Sequence, residues 1–249
     1  MSTSTQWLVQ IKQICTQVGI QHVDLLLDQT AWHNYALPGL RKINPQVPWF
    51  SLFSGTPEEN MLDHAPLLMR LDFAHWQHEA WLEELITHCA TDARLLVMVS
   101  ALDFDALAHA LRALLQFNWG GCPGLLRYYD PRIFPLLMSS ILTNEQRDKY
   151  LEVACYWGWL DRDEQPQWLE GKCPSQQGDI AFRPALDLSD QQCDLIGAIS
   201  DAQELLNSGV LDDFKGSQER RFTLLYSYAV QASQENYFDR LSEYVKRKI

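Results

Sequence analysis

The sequence predicts an α/β (α+β) N-terminal lobe, a small sheet covered by helices, followed by a mainly α-helical C-terminal lobe. Three observations carry this. In the first half, amphipathic stretches alternate with short apolar runs, the pattern of helices laid on a sheet. After Asp130 the periodicity changes, and from residue 189 on it reads as helical. The chain has 249 residues, 47% of them hydrophobic, enough for one sizeable core or two smaller ones. The expected lobes are 1–135 and 136–249, with a loop-rich linker near 161–187.

The elements follow in order. Trp7, Leu8, Ile11, Ile14, Cys15 and Val18 recur at helical spacing, and Gly19 is placed to end that helix. Residues 23–28, with Leu25, Leu26 and Leu27, read as a buried strand ending in Asp28, although periodicity alone does not separate a strand from a helix here. Residues 38–57 hold four Pro and two Gly and are expected to be loop, with a short strand at 49–53. Residues 67–71 form a second apolar run. A helix at 77–89 places Trp81, Leu82, Leu85, Ile86 and Cys89 on one face. Residues 94–100 read as a third strand. Asp103 stands at an N-cap position before the stripe Phe104, Leu107, Ala108, Leu111, Leu114 and Leu115. Residues 118–124 read as a turn into a fourth strand at 124–129. Whether the sheet is parallel or mixed is left open.

A helix is expected after Asp130. Another follows Thr143, which forms a possible capping box with Gln146. Residues 156–160 read as a strand paired with 167–169. Residues 165–184 are polar and broken by Gly and Pro, a linker in character. Ser189 and Gln192 form a second possible capping box, and the helical tail breaks near 207–216.

Composition narrows the functional classes. Net charge is -12, from 20 basic and 32 acidic residues. Such a surface repels nucleic acid and anionic lipid, so neither is an expected partner. The exception, Lys246, Arg247 and Lys248, suits the negative end of a helix dipole. Nine Trp imply an aromatic core or an aromatic binding surface. The six Cys are scattered without a C-x-x-C pair, so reduced thiols are expected rather than a zinc site or a disulfide framework. The N-terminus has no secretory pattern, and no run approaches the ~18 apolar residues of a membrane span. A cytoplasmic location is expected.

The motifs of common catalytic sites are missing from the sequence. His75 and His78 follow neither His-Glu-x-x-His nor its inverse, and a third ligand has no candidate, so no metal is expected. The Gly120 to Gly124 cluster precedes a strand, whereas phosphate cradles lie between a strand and a helix. There is no G-x-S-x-G elbow. No catalytic residue and no cofactor is expected.

The most specific segment is Leu125-Leu-Arg-Tyr-Tyr-Asp-Pro-Arg132. It reads as a strand entering a helix, with Asp130 as cap and Pro131 at the first helical position. Alternation would put Arg127 and Tyr129 on one strand face and Tyr128 on the other. Arg127 would need a carboxylate partner, and Asp28 is a plausible one. Arg127 and Arg132 read equally as struts or as interface anchors.

This segment resembles the R-Y-Y-D-P-R motif of the type VI secretion adaptors, effector chaperones often called Tap or TEC proteins. Leu25 to Asp28 is similar to the family's early apolar strand ending in Asp. Ser51-Leu-Phe-Ser-Gly-Thr56 is similar to its S-L-F-x-G-T segment. Ala65-Pro-Leu-Leu-Met-Arg-Leu71 is similar to its P-Y-L-V-x-L strand, with Leu67 in place of Tyr. Coverage runs from about 23 to 159, and the helical tail resembles the family only in layout. The resemblance implies a cytoplasmic adaptor, not an enzyme. It would bind a type VI effector, through the effector's N-terminal region, and help load it onto the VgrG spike. Arg127, Tyr129 and Arg132 are the candidate partner-binding residues; Asp28, Tyr128, Asp130 and Pro131 are the candidate structural ones. Two alternatives stand beside this reading: an immunity protein that neutralises a toxin, and a small hydrolase.

Overall fold

A computed structural model describes residues 3–31, 36–89, 93–174 and 185–248. Its centre is a six-stranded sheet in the order β2-β3-β1-β4-β7-β8. The strands are β1 (His22–Asp28), β2 (Trp49–Ser51), β3 (Pro66–Asp72), β4 (Leu95–Val99), β7 (Tyr156–Leu160) and β8 (Pro166–Glu170), and every pairing is antiparallel. A second sheet, in the order β6-β5-β9, is built from β5 (Gln116–Trp119), β6 (Cys122–Leu125) and β9 (Leu186–Asp187).

The large sheet separates two apolar clusters, because successive side chains of a strand point to opposite faces. Leu25, Leu27, Met69 and Val97 pack against Trp7 and Ile11 of α1 (Thr3–Val18) and Leu82 and Leu85 of α3 (Trp76–Cys89); α2 (Ala36–Leu40) closes that side. Leu26, Leu68, Leu96, Met98 and Trp157 face the other way. They pack against Leu107 and Leu111 of α4 (Phe104–Leu115) and Phe134 of the short α5 (Phe134–Leu136). The helical tail joins this cluster through Ile199 of α7 (Asp190–Asn207), Leu225 of α8 (Gln218–Gln234) and Val245 of α9 (Leu241–Lys248).

The capping chemistry read from sequence is present. Thr143 and Gln146 make both bonds of a capping box on α6 (Asn144–Leu151), and Ser189 and Gln192 do the same on α7. Gly19 adopts φ +72° after α1, where Ile20 N–H donates to the Cys15 carbonyl at 2.9 Å. Asp103 occupies the N-cap of α4 without a side-chain bond; its carbonyl accepts the Leu107 N–H instead.

Four expectations need correction. The boundary at residue 135 does not end the sheet, since β7 and β8 extend it to residue 170 and both halves share one core cluster. The expected strand at 124–129 stops at Leu125, where β6 ends; β6 pairs with β5 in a hairpin joined by Gly120 and Gly121. Their φ values of +55° and +81° are the pair a tight two-residue hairpin turn demands. Tyr128 and Tyr129 therefore lie in a turn, not on a strand. Finally, Cys155 and Cys173 form a disulfide. The β7–β8 hairpin brings them together: Gly171 N–H donates to the Cys155 carbonyl, which returns Cys173 to its partner across 18 residues of sequence. Spacing alone carries no sign of that register.

The core reading of the tryptophans holds for four of them. Trp7, Trp81, Trp157 and Trp159 are buried, while Trp76 and Trp119 are exposed. Within the Trp157-Gly-Trp159 strand, a Cβ at Gly158 would come within 2.5 Å of the Trp168 ring, so glycine lets the neighbouring strand lay its indole across β7.

Candidate functional site

The signature folds around two buried carboxylates. Asp28 ends β1 where the strand reaches the edge of the core. Its Oδ1 accepts from the Thr30 N–H at 3.1 Å and the Thr30 hydroxyl at 2.7 Å. Its Oδ2 accepts from Arg127 Nη2 at 3.0 Å, and Arg94 Nη1 lies 3.6 Å away. The expected Arg127–Asp28 pair is thus formed, across 99 residues of sequence.

Asp130 is the second carboxylate. Its Oδ1 accepts from the backbone N–H and the Nε of Arg132, both at 2.9 Å, and its Oδ2 accepts from Arg132 Nη2 at 2.7 Å. Arg127 Nη2 reaches the same Oδ2 at 3.4 Å, so one guanidinium bridges both acids. Asp130 caps a turn rather than the helix: α5 starts four residues later, at Phe134, with Ile133 at its N-cap and no side-chain cap bond. The Asp130 carbonyl still accepts the Phe134 N–H, at 2.9 Å. Pro131 consequently sits in the turn and not at the first helical position.

The tyrosines lie behind this cluster. Tyr128 is fully buried, donates to the Leu111 carbonyl at 2.9 Å, and meets the rings of Tyr150 and Trp157 edge-on. Tyr129, expected as a partner-binding residue, is only 5% exposed. Burial pushes its phenol up to about 12, and Arg127 lies over its ring at 5.9 Å. Tyr129 supports Arg127 from below, and the side chains that reach the surface are Arg127 and Arg132.

Two further residues complete the site and were not legible as such. Arg162, in the turn between β7 and β8, ties the signature to the helical tail. It donates to the Arg132 carbonyl at 3.1 Å, to Glu219 of α8 at 3.2 Å and to Gln203 of α7 at 3.3 Å. Its guanidinium lies 3.2 Å from the centroid of the Phe222 ring. Burial lowers its pKa and Glu219 opposes that shift. Asp163 accepts from the Gln218 and Glu219 N–H groups at the start of α8. The only sequence signal was Asp161-Arg-Asp163 itself, a charged triplet in a turn, which gives no hint of its partners.

His78, singled out with His75, is a core residue. Its Nδ1 accepts the Asp72 N–H at 3.0 Å and its Nε2 meets the Pro45 carbonyl at 2.9 Å, so it is the neutral Nε2–H tautomer. Among the described residues no group of three His, Cys, Asp or Glu could hold a metal ion.

Residues 25–149, half of the chain, match the family described as Domain of unknown function (DUF4123). The match begins in β1 and includes Asp28 and the whole Arg127 to Arg132 signature. No curated protein and no solved structure matches the chain. The chain belongs to the DUF4123 family.

Proposed function

We propose that this family member is an adaptor that holds a type VI secretion effector and helps load it onto the VgrG spike, acting in the cytoplasm rather than as an enzyme. One observation carries the reading. The signature by which the chain resembles such adaptors folds as an arginine cluster whose carboxylates are buried and whose guanidiniums reach the surface. A partly exposed Arg held in place by buried acids is a preorganised anchor for another protein. The cluster also borders an open cleft against the helical tail. Among the described residues no helix is long and apolar enough to cross a membrane.

The test is co-expression with a candidate type VI effector, divided into N-terminal and toxic fragments. The N-terminal fragment is expected to co-purify with the full chain, in an interface of about 1,200–2,000 Å². Capture of the toxic fragment alone, with its activity blocked, would instead establish the immunity reading.

A further inference from the structure

A strand at the edge of a sheet carries main-chain groups that no neighbouring strand satisfies. The large sheet ends on β2 at one side and β8 at the other, and the small sheet ends on β6 and β9. The β2 edge is closed at Ser51, which is buried and whose carbonyl accepts the Ser54 N–H. On β6 the outward-facing residues are Pro123 and Leu125, and proline has no N–H to offer. β9 has only two residues, Leu186 and Asp187. β8 has five residues and stands apart from these three.

The register of β8 fixes which of its groups face outward. Gly171 N–H donates to the Cys155 carbonyl at 2.8 Å, and Asp161 N–H donates to the Gln165 carbonyl at 3.0 Å. Alternation along the pairing then turns the main-chain groups of Gln167 and Leu169 toward β7 and those of Pro166, Trp168 and Glu170 away from it. Among the described residues nothing bonds to the Trp168 and Glu170 N–H groups or to the Pro166, Trp168 and Glu170 carbonyls. The Trp168 ring is folded back over Gly158 of β7, and its Nε1 donates to Gln10 of α1 at 2.9 Å, so the indole is turned away from the edge. Glu170 is exposed, and the lysine that follows it, Lys172, is paired instead with Asp148 and Glu152. At its other end the edge reaches the signature, because Gln167 lines the same cleft as Pro131 and Arg132.

We propose that β8 takes an extended segment of the effector as a seventh strand, antiparallel like the six already in the sheet. Two donors and three acceptors on alternate residues match the groups of an extended backbone. The side chains opposite them set the preference: a β-branched residue beside the Trp168 indole, and a Lys or Arg across from the unpaired Glu170. A second copy of the chain fits less well. Self-pairing centred on Trp168 sets Glu170 against Pro166, which gives its carboxylate no cation and its carbonyl no N–H. A net charge of -12 on each copy also opposes it. This assignment rests on the adaptor reading and names the surface and the strand chemistry by which the effector segment is held.

The probe is the synthetic peptide acetyl-Lys-Thr-Val-Thr-Val-amide, titrated into the full chain and followed by amide NMR. Its first, third and last residues face Glu170, Trp168 and Pro166 in the antiparallel register. N-methylation separates a strand ladder from any other contact. On the central Val it removes the N–H that donates to the Trp168 carbonyl. On the first Thr it removes an N–H that points away from β8. On the protein side, Glu170→Pro removes a donor that makes no bond within the chain, and Glu170→Ala keeps that donor. The peptide pair stands as a test whether or not Glu170→Pro folds.

The unmodified peptide should bind saturably, with a Kd at or below about 1 mM. Bound, it should slow hydrogen exchange at the Trp168 and Glu170 amides and leave Gln167 and Leu169, already bonded to β7, unchanged. Methylation of the central Val, and Glu170→Pro, should each weaken binding by about tenfold. Methylation of the Thr, and Glu170→Ala, should each change it by less than about threefold. No saturable binding, equal weakening by the two methylations, or protection that does not alternate would overturn the assignment. Concentration-dependent protection of Trp168 and Glu170 in the free chain would also overturn it, by placing a second copy on the edge. Capture of the N-terminal effector fragment, run in parallel, separates the two claims. If that fragment is held while the Trp168 and Glu170 amides stay unprotected, the edge assignment falls and the adaptor reading stands. If no effector fragment is captured while the peptides still discriminate, the adaptor reading falls and the edge stands as a strand-binding site.

Discussion

Asp24 and Asp28 lie on the same face of β1, four residues apart, in very different settings. Asp24 sits in mid-sheet directly across from Arg70 on β3, and the two make a bidentate pair at 2.7 and 2.9 Å. Arg70 spends a third bond on the Leu102 carbonyl and lies over the Phe104 ring. Asp28 stands at the strand's end, where Arg94, one residue before the neighbouring β4, and Arg127, from the distant signature turn, both reach the surface. A neighbouring strand supplies Arg70 and Arg94; the Arg127–Asp28 pair depends on the whole fold. The lesson is that depth separates a strut from a display. A closed pair can only hold the sheet together, whereas an open pair holds a cation in position and leaves part of it for something else.

The sharpest way to break this contrast is at the closed end. Asp24→Asn leaves the Arg70 guanidinium, whose side chain is only 14% exposed, without its counter-charge. The expected loss is about 3–5 kcal/mol in urea unfolding. The double variant Asp24→Leu with Arg70→Met should recover most of it, because two apolar groups leave no buried charge behind. A loss below about 1 kcal/mol for Asp24→Asn would show that water reaches the pair and that the two ends are alike.

At the open end effects on stability should be smaller. Asp130→Ala removes the acceptor for the Arg132 N–H and for two guanidiniums, and should lower stability by about 1–3 kcal/mol. Arg127→Gln should cost less than about 1 kcal/mol, because the side chain is half exposed and Arg94 remains beside Asp28. It should nevertheless reduce effector capture, read as co-purified fragment at equal adaptor concentration. An Arg127→Gln protein that melts well below wild type yet captures normally would move Arg127 from display to strut.

The smallest effect concerns pH and belongs again to the closed end. Burial lowers the pKa of His22, which lies 3.8 Å from Asp24, below its ordinary 6.5. The unfolded chain then takes up the proton more readily than the folded one. Stability from this group is complete above pH 6.5 and is lost as pH falls through the folded value. Burial raises the pKa of Asp24, which acts with the opposite sign, its stabilising contribution declining as pH rises above 3.8. His22→Gln should flatten the loss of stability between about pH 7 and pH 5, measured by urea unfolding at each pH. An unchanged slope would assign that loss to other groups.

Periodicity and local chemistry carried most of the element reading. The stripes of α1, α3 and α4, the apolar runs of β1, β3 and β4, and the boxes at Thr143 and Ser189 depend on neighbours within a turn or two. The β7–β8 pairing was legible for the same reason, being two aromatic-containing runs a short turn apart. The hairpin at Gly120 was misjudged because α4 passes directly into β5, so one apolar stretch changes period without punctuation. Asp24–Arg70 had a faint signal, a lone charge in each of two apolar strands, but naming the pair requires knowing which strands adjoin.

Sequence alone determined the α/β class, the positions of the helices and inner strands, the acidic surface, and the signature with its call for an Arg127–Asp28 pair. Tertiary structure alone decided that the sheet is antiparallel and reaches residue 170, that Tyr129 is buried, and that Cys155 meets Cys173. It also brought Arg162, Gln203 and Glu219 to the signature. The physical reason is range. Caps, turns and amphipathic stripes are set by interactions over a few residues, so they are written locally. Strand order, burial and charge pairing are set by which distant surfaces exclude water from one another, and nothing in a single stretch of sequence encodes its partner's address.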